Sequence, residues 1–162
     1  MTIPRPTDGD KERMTAPPAW PSADEDTLGA MASTYEAKKS GVDQQIFAWH
    51  RLRTSLFGGT WSGQASTFAN AKVGEHLEEL LAASSNLSSG QRLFERSQAS
   101  VINAKRRIVE ICAAAQTLIN DARSAQDTSE QDGRGYIEAV INAAHSQNCG
   151  VVSDAGADVL SG

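Results

Sequence analysis

Phe57-Gly58-Gly59-Thr60-Trp61-Ser62-Gly63 decides the fold, because it is glycine-rich and lies between two long stripes of helical period. Upstream the stripe runs Leu28, Met31, Tyr35, Lys38, Val42, Gln45, Trp49, Leu52, Leu56. Downstream it runs Leu77, Leu81, Ser84, Leu87, Gln91, Phe94, Gln98, Val101, Lys105, Ile108, Cys112, Ala115, Ile119. Steps of three and four residues alternate in both without a slip, the signature of one face of an α-helix. Paired glycines end a helix readily, since they accept backbone conformations other residues avoid. The spacing predicts helices over about 22–57 and 63–125, folded back on each other at this turn. Ser88-Ser89-Gly90 is a weak spot, as glycine costs about 1 kcal/mol inside a helix, but the register holds across it.

The first helix has a start signal at Ser22-Ala23-Asp24-Glu25, where Ser22 and Glu25 have capping-box spacing. Asp24, Glu25 and Asp26 place negative charge where the helix dipole favours it. All five prolines, Pro4, Pro6, Pro17, Pro18 and Pro21, precede this point. Proline breaks helix interiors, so residues 1–21 read as a disordered tail, within which Met14 offers a second start codon. After the long second helix, 127–135 reads as a polar linker with Gly133 and Gly135. A third, weaker stripe, Ile137, Val140, Ile141, Ala144, Val151, Val152, Ala155, Val159, makes 136–162 a C-terminal helical segment. At 1.5 Å per residue the first helix spans about 53 Å and the second about 93 Å. The first can cover the second only to about Ser97, and the third segment has the length to cover the rest. The expected fold is all-α: an elongated antiparallel helical hairpin with a long central helix and a shorter third helix.

Composition narrows the function classes. The 162 residues suffice for one domain of ordinary size. Aromatics make up only 6%, which suits helices packed through small side chains better than a β-sandwich. The formal net charge is −5 and the only basic cluster is Lys105-Arg106-Arg107, so no nucleic-acid partner is expected. Cys112 and Cys149 do not make a disulfide scaffold and read as free thiols. No segment has the length of a membrane helix, and residues 1–21 lack the apolar core of a cleavable signal peptide.

Trp61-Ser62-Gly63 is the motif that carries most information. Tryptophan at such a hinge can pack across the open end of the hairpin with its indole N–H bonded in the turn. With its W-x-G between two long helices, the chain from about Trp20 to Ala125 resembles the WXG family of early-secreted-antigen-like proteins, substrates of type VII secretion. The opening Trp20-Pro21-Ser22-Ala23-Asp24-Glu25-Asp26 looks like the start of the WXG-like domains that lead large actinobacterial secreted toxins. The region around Ala104-Lys105-Arg106-Arg107-Ile108 looks like their distal second helix. The resemblance implies a helical hairpin over 22–126 that pairs with a second hairpin in a four-helix bundle and is exported as a folded dimer. Two features depart from the family. The chain continues past the second helix, and the export signal Tyr-x-x-x-Asp/Glu is absent, since Lys39 follows Tyr35 and Val140 follows Tyr136 at that spacing. A chain that borrows the signal favours a hetero-dimer over a homo-dimer. The apolar residues Phe68, Val73, Leu77, Leu80, Ile46 and Phe47 are the expected partner interface.

The remaining candidates carry less. His145 and Cys149 stand four apart, a spacing for two metal ligands, but a site needs more. Glu75, Glu78 and Glu79 beside His76 lack the H-E-x-x-H pattern and read as a solvated face. No nucleophile elbow, phosphate loop or triad spacing appears. The sequence therefore predicts no catalytic residue, metal, cofactor or small-molecule substrate. It predicts a non-catalytic type VII (ESX) secretion substrate or delivery domain that engages the secretion machinery and is found outside the cell or in its envelope. The alternative is a cytoplasmic helical adaptor that is never exported. An end within the apolar run Val159-Leu160-Ser161-Gly162 is also what the leading part of a larger chain would show.

Overall fold

The structure is a computed structural model that describes residues 2–59, 61–125 and 130–160, the side chains of 130–132 and 160 excepted. The described residues form four α-helices and no strand: α1 (Asp10–Met14), α2 (Glu25–Phe57), α3 (Gln64–Ser124) and α4 (Glu130–Leu160). The fold is all-α, with a long central helix against which the others pack. α3 is one uninterrupted helix of 61 residues that passes through Ser88-Ser89-Gly90. Two compact units are present. One is Gly29–Glu95; the other joins the N-terminal residues up to Leu28 to Arg96 and the residues after it. This division cuts through the span 22–126 that the sequence suggests as one hairpin domain.

In the unit Gly29–Glu95, α2 and α3 run antiparallel, as their side-chain pairs show. Arg53 Nε donates to Asn70 Oδ1 at 2.6 Å, the Trp49 ring meets His76, Ser84 Oγ donates to Asp43 Oδ1 at 2.6 Å, and Tyr35 meets Phe94. Lys39 also bonds Asp43 at 2.6 Å, and these two donors hold the Asp43 carboxyl below the usual aspartate range. Four of the nine residues of the expected α2 seam, Leu28, Tyr35, Val42 and Trp49, are partly buried. The other five are not. Met31, Lys38, Gln45, Leu52 and Leu56 are exposed, and Ala32, Lys39, Ile46 and Arg53 take their place one residue later. A 3-4 and a 4-3 alternation share every seventh residue, so periodicity alone leaves open which flank completes the seam.

The glycine at the weak spot has a packing reason. A Cβ on Gly90 would lie 2.6 Å from Tyr35 Cδ1, inside van der Waals contact. The Tyr35 ring sits beside this bare stretch of backbone with its centroid 5.4 Å from that of Phe94. Gly90→Ala should therefore lower stability by about 1 kcal/mol, because overpacking of 1–3 kcal/mol outweighs the gain in helix propensity. In a Tyr35→Ala background the sign should reverse, with Gly90→Ala stabilising by about 1 kcal/mol. Urea denaturation of the four variants measures this; a stabilising Gly90→Ala in the wild-type background would show that the ring does not need the space.

The second unit holds the better-filled core. Ile108, Cys112 and Ile119 of α3 pack with Ile141, Ala144 and Val151 of α4, and Ile108, Cys112 and Ile119 are all fully buried. The α3 and α4 stripes read from the sequence are the inward faces here. α4 runs antiparallel to α3: Ser100 Oγ donates to Ala155 O, and Asn148 Nδ2 reaches Cys112 Sγ. The third helix begins earlier than expected, at Glu130, so Gly133 and Gly135 lie within it and not in a linker. Residues 126–129 lie outside the described part.

The N-terminal segment overturns the expectation of a disordered tail. Met14, Thr15 and Ala19 are 0% exposed, and Met14 belongs to the same core as Ile108 and Ile141. Asn148, fully buried on α4, donates to the Met14 carbonyl at 3.0 Å. Arg13 makes two hydrogen bonds to the Glu138 carboxylate, and Arg123 pairs with Asp10 at 2.9 Å. Scattered apolar residues show no period, yet Met14, Ala19 and Trp20 each find a place on a core that α3 and α4 leave open. The prolines restrict the unfolded segment and so reduce the entropy lost when it packs.

Candidate functional site

The turn between α2 and α3 is built from its glycines. Gly59 and Gly63 have φ of 130° and 98°, values that favour glycine. The Gly63 carbonyl accepts the first backbone bond of α3, from Thr67 N at 3.0 Å. Trp61 is tied in through its backbone, with its N–H donating to Leu56 O at 3.1 Å and its carbonyl accepting from Ser66 Oγ at 2.9 Å. Its ring stacks on Phe57, centroids 5.5 Å apart and 25° from parallel, yet remains 44% exposed. Ser62 is exposed. Trp61 thus does not bury itself across the hairpin end but presents one face to the outside. Trp61→Ala should cost about 2 kcal/mol, roughly half the 3–5 kcal/mol of a fully buried tryptophan, with helicity unchanged. A loss near 5 kcal/mol by denaturation would show that the ring holds the hairpin shut.

The residues expected to form a partner interface fall into three groups. Phe47 and Phe68 are free to meet a partner, at 64% and 67% exposed. Ile46, Val73 and Leu80 are half-buried on the α2–α3 seam. Leu77 is only 3% exposed and belongs to the interior of the hairpin, so it is not an interface residue. Leu77 lies on the α3 stripe itself, whereas the flank that completes the stripe differs from the expected one: Leu80, and not Leu81, continues the α3 seam, and Leu81 is 50% exposed.

A second constellation was not legible as a site. α2 is capped by Asp24 and not by Ser22: Asp24 Oδ1 accepts from Asp26 N at 3.1 Å and Oδ2 from Thr27 Oγ1 at 2.7 Å. Glu25 is thereby released from the capping box and turns inward, 1% exposed. Its carboxylate pairs with Lys105 of α3, itself buried, and accepts from the Ile3 N–H at 2.5 Å. The Lys105 ammonium lies 5.7 Å from the Trp20 ring centroid. Burial pushes the Glu25 carboxyl up, but the Lys105 bond, the Ile3 N–H, its own N–H and the Lys105 charge pull it further down, below the usual glutamate value. The available signal was the one cation, Lys105, on the otherwise apolar distal stripe of α3 from Val101 to Ile119. A buried lysine needs a carboxylate. Trp20, Glu25 and Lys105, the elements on which the toxin-domain resemblance rests, form one cluster in which Glu25 and Lys105 are buried and Trp20 is half-buried.

Elsewhere the chemistry is sparse. Cys149 Sγ lies 3.6 Å from His145 Nε2, so the i, i+4 pair does meet. Among the described residues no third His, Cys, Asp or Glu joins it. Cys112 and Cys149 are free thiols, and burial pushes the Cys112 thiol up from its ordinary value. No helix of the described residues is long and apolar enough to cross a membrane.

The chain is similar to an ESX-1 secretion-associated protein. That relative, EspK of Mycobacterium tuberculosis (strain CDC 1551 / Oshkosh), is 26% identical over 161 residues, which are 99% of this chain and 22% of the relative. The chain thus spans less than a quarter of the length of the protein it matches. No family model matches, and no solved structure matches. The similarity links the chain to ESX secretion and extends over both compact units, including the N-terminal segment and α4 that lie outside a two-helix hairpin.

Proposed function

We propose that this chain is a non-catalytic helical protein of type VII (ESX) secretion, carried out of the cell in a pair with a second helical hairpin. The observation that carries the reading is the similarity to an ESX-1 secretion-associated protein over nearly the whole chain. Unequal coverage of the two units supports the pairing. In the second unit α3 is covered by α4 and the N-terminal segment. In Gly29–Glu95 it meets α2, while Met31, Phe47, Leu52, Phe68 and Leu81 stay exposed. A further pair of helices on that unit would bury them as a four-helix bundle does. The chain lacks the Tyr-x-x-x-Asp/Glu signal at both tyrosines, so the partner in this reading is a different protein that supplies it. Fractionation of cells with and without the secretion ATPase tests export. The chain is expected in the culture filtrate or envelope only when the ATPase is present; retention in the cytoplasm in both strains would make it an internal adaptor.

A further inference from the structure

We infer that Cys149 is a modification site: a nucleophilic thiol, served by His145 as its base, that forms a mixed disulfide with a low-molecular-weight disulfide. The site lies on α4, in the unit that holds the N-terminal segment, and depends neither on export nor on a partner hairpin. Three observations carry it. First, the two side chains meet. Cys149 Sγ lies 3.6 Å from His145 Nε2, within hydrogen-bond reach for sulfur. A helical side chain leans toward the N-terminal turn, so a cysteine four residues after a histidine is aimed at its ring. Second, nothing competes for the imidazole. His145 Nδ1 is buried with no hydrogen-bond partner among the described residues, which leaves Cys149 as the ring's partner. Third, solvent reaches the thiol. Cys149 is half-buried, and a Cβ added at Gly150, or at Gly156 further along the same face, would meet nothing within 4 Å.

Cys112 supplies the contrast within the same unit. It is 0% exposed, accepts from Asn148 Nδ2 at 3.5 Å, and burial pushes its thiol up from the ordinary value. A thiol buried in that way is inert, whereas a sulfur beside a base and within reach of solvent is the kind that attacks. The step balances within the pair and its reagent. His145 Nε2 takes the Cys149 proton and Sγ attacks one sulfur of the disulfide. A new S–S bond forms as the old one breaks, and the departing thiolate takes the proton from His145. The Cys149 sulfur is oxidised, and the departing thiol is the reduced product. Half-burial admits a small molecule and keeps out the face of a folded protein, so the reagent class is an oxidised small thiol.

Reaction of the intact chain with dithiodipyridine, an uncharged aromatic disulfide, tests this, with peptide mass mapping to locate the adduct. Cys149 is expected to react first, at least about ten-fold faster than the same cysteine in the denaturant-unfolded chain. Cys112 should react only as the chain unfolds, so its protection reports folding in every variant. His145→Ala should slow Cys149 at least about ten-fold. Imidazole added to the buffer should restore part of that rate and leave the wild type unchanged. Oxidised glutathione should add to Cys149 as well, whereas a folded protein carrying a disulfide should not. Equal rates for the two cysteines in the folded chain, or a His145→Ala chain as fast as the wild type, would overturn the proposal. A slowed His145→Ala chain that imidazole does not rescue would make the histidine a packing residue and overturn its role as base. Preference for the protein disulfide over glutathione would overturn the reagent class.

Discussion

Replacing Lys105 with methionine is expected to destabilise the chain by about 3–5 kcal/mol, the largest effect of any single charge change. The substitution leaves the Glu25 carboxylate buried with no cation, and removing one member of a buried pair strands the other without water or partner. Adding Glu25→Gln should recover most of the loss, since glutamine is neutral and still accepts from the Ile3 N–H. Denaturant titration of the single and double variants measures both. A double variant as unstable as the single one would show that the pair matters for the lysine's packing and not for its charge.

The same pair predicts a pH dependence of definite sign. The folded Glu25 value lies below the unfolded one, about 4.3. Its contribution is therefore complete above about pH 4.3 and is lost as pH falls through the lower folded value. Between neutral pH and about pH 3 the wild type should lose more stability than the Lys105→Met/Glu25→Gln variant, which has no charge at this site. Equal acid sensitivity of the two would assign acid unfolding to other carboxylates.

Met14→Ala should cost about 2–5 kcal/mol, as much as Ile108→Ala, because both side chains are fully buried in one core. The comparison is informative because Met14 lies among the prolines, in a segment without periodicity. Loss of its contacts should also loosen the buried hydrogen bond from Asn148 to its carbonyl. Denaturation gives the energy, and hydrogen exchange of residues 14–20 gives the location. A Met14→Ala chain of wild-type stability with rapid exchange there would return the segment to the status of a tail.

Helix identity and extent were determined locally. The proline-free body, the glycine turn and the three-four spacing place α2 and α3 within three residues of their observed ends, because backbone hydrogen bonding and amphipathic period are properties of a continuous stretch. The α3 stripe from Ser84 to Ile119 was legible for the same reason: apolar residues and one cation recur on one face. The position of Trp61 at the hinge was legible too, but its exposure was not.

Tertiary structure decided everything that depends on what lies opposite. It chose Ala32, Ile46 and Leu80 over Met31, Gln45 and Leu81 for the seam, since two alternations share the same seventh residues and only the partner helix selects between them. It turned Glu25 from a capping residue into the counter-ion of Lys105 across 80 positions of sequence, a pairing no local pattern encodes. It drew Met14, Thr15 and Ala19 out of a proline-rich segment without period into buried positions. Local propensities are worth about 1 kcal/mol per residue, whereas burial of a large apolar side chain is worth about 1.5–3 kcal/mol; where the two disagree in this chain, burial prevails.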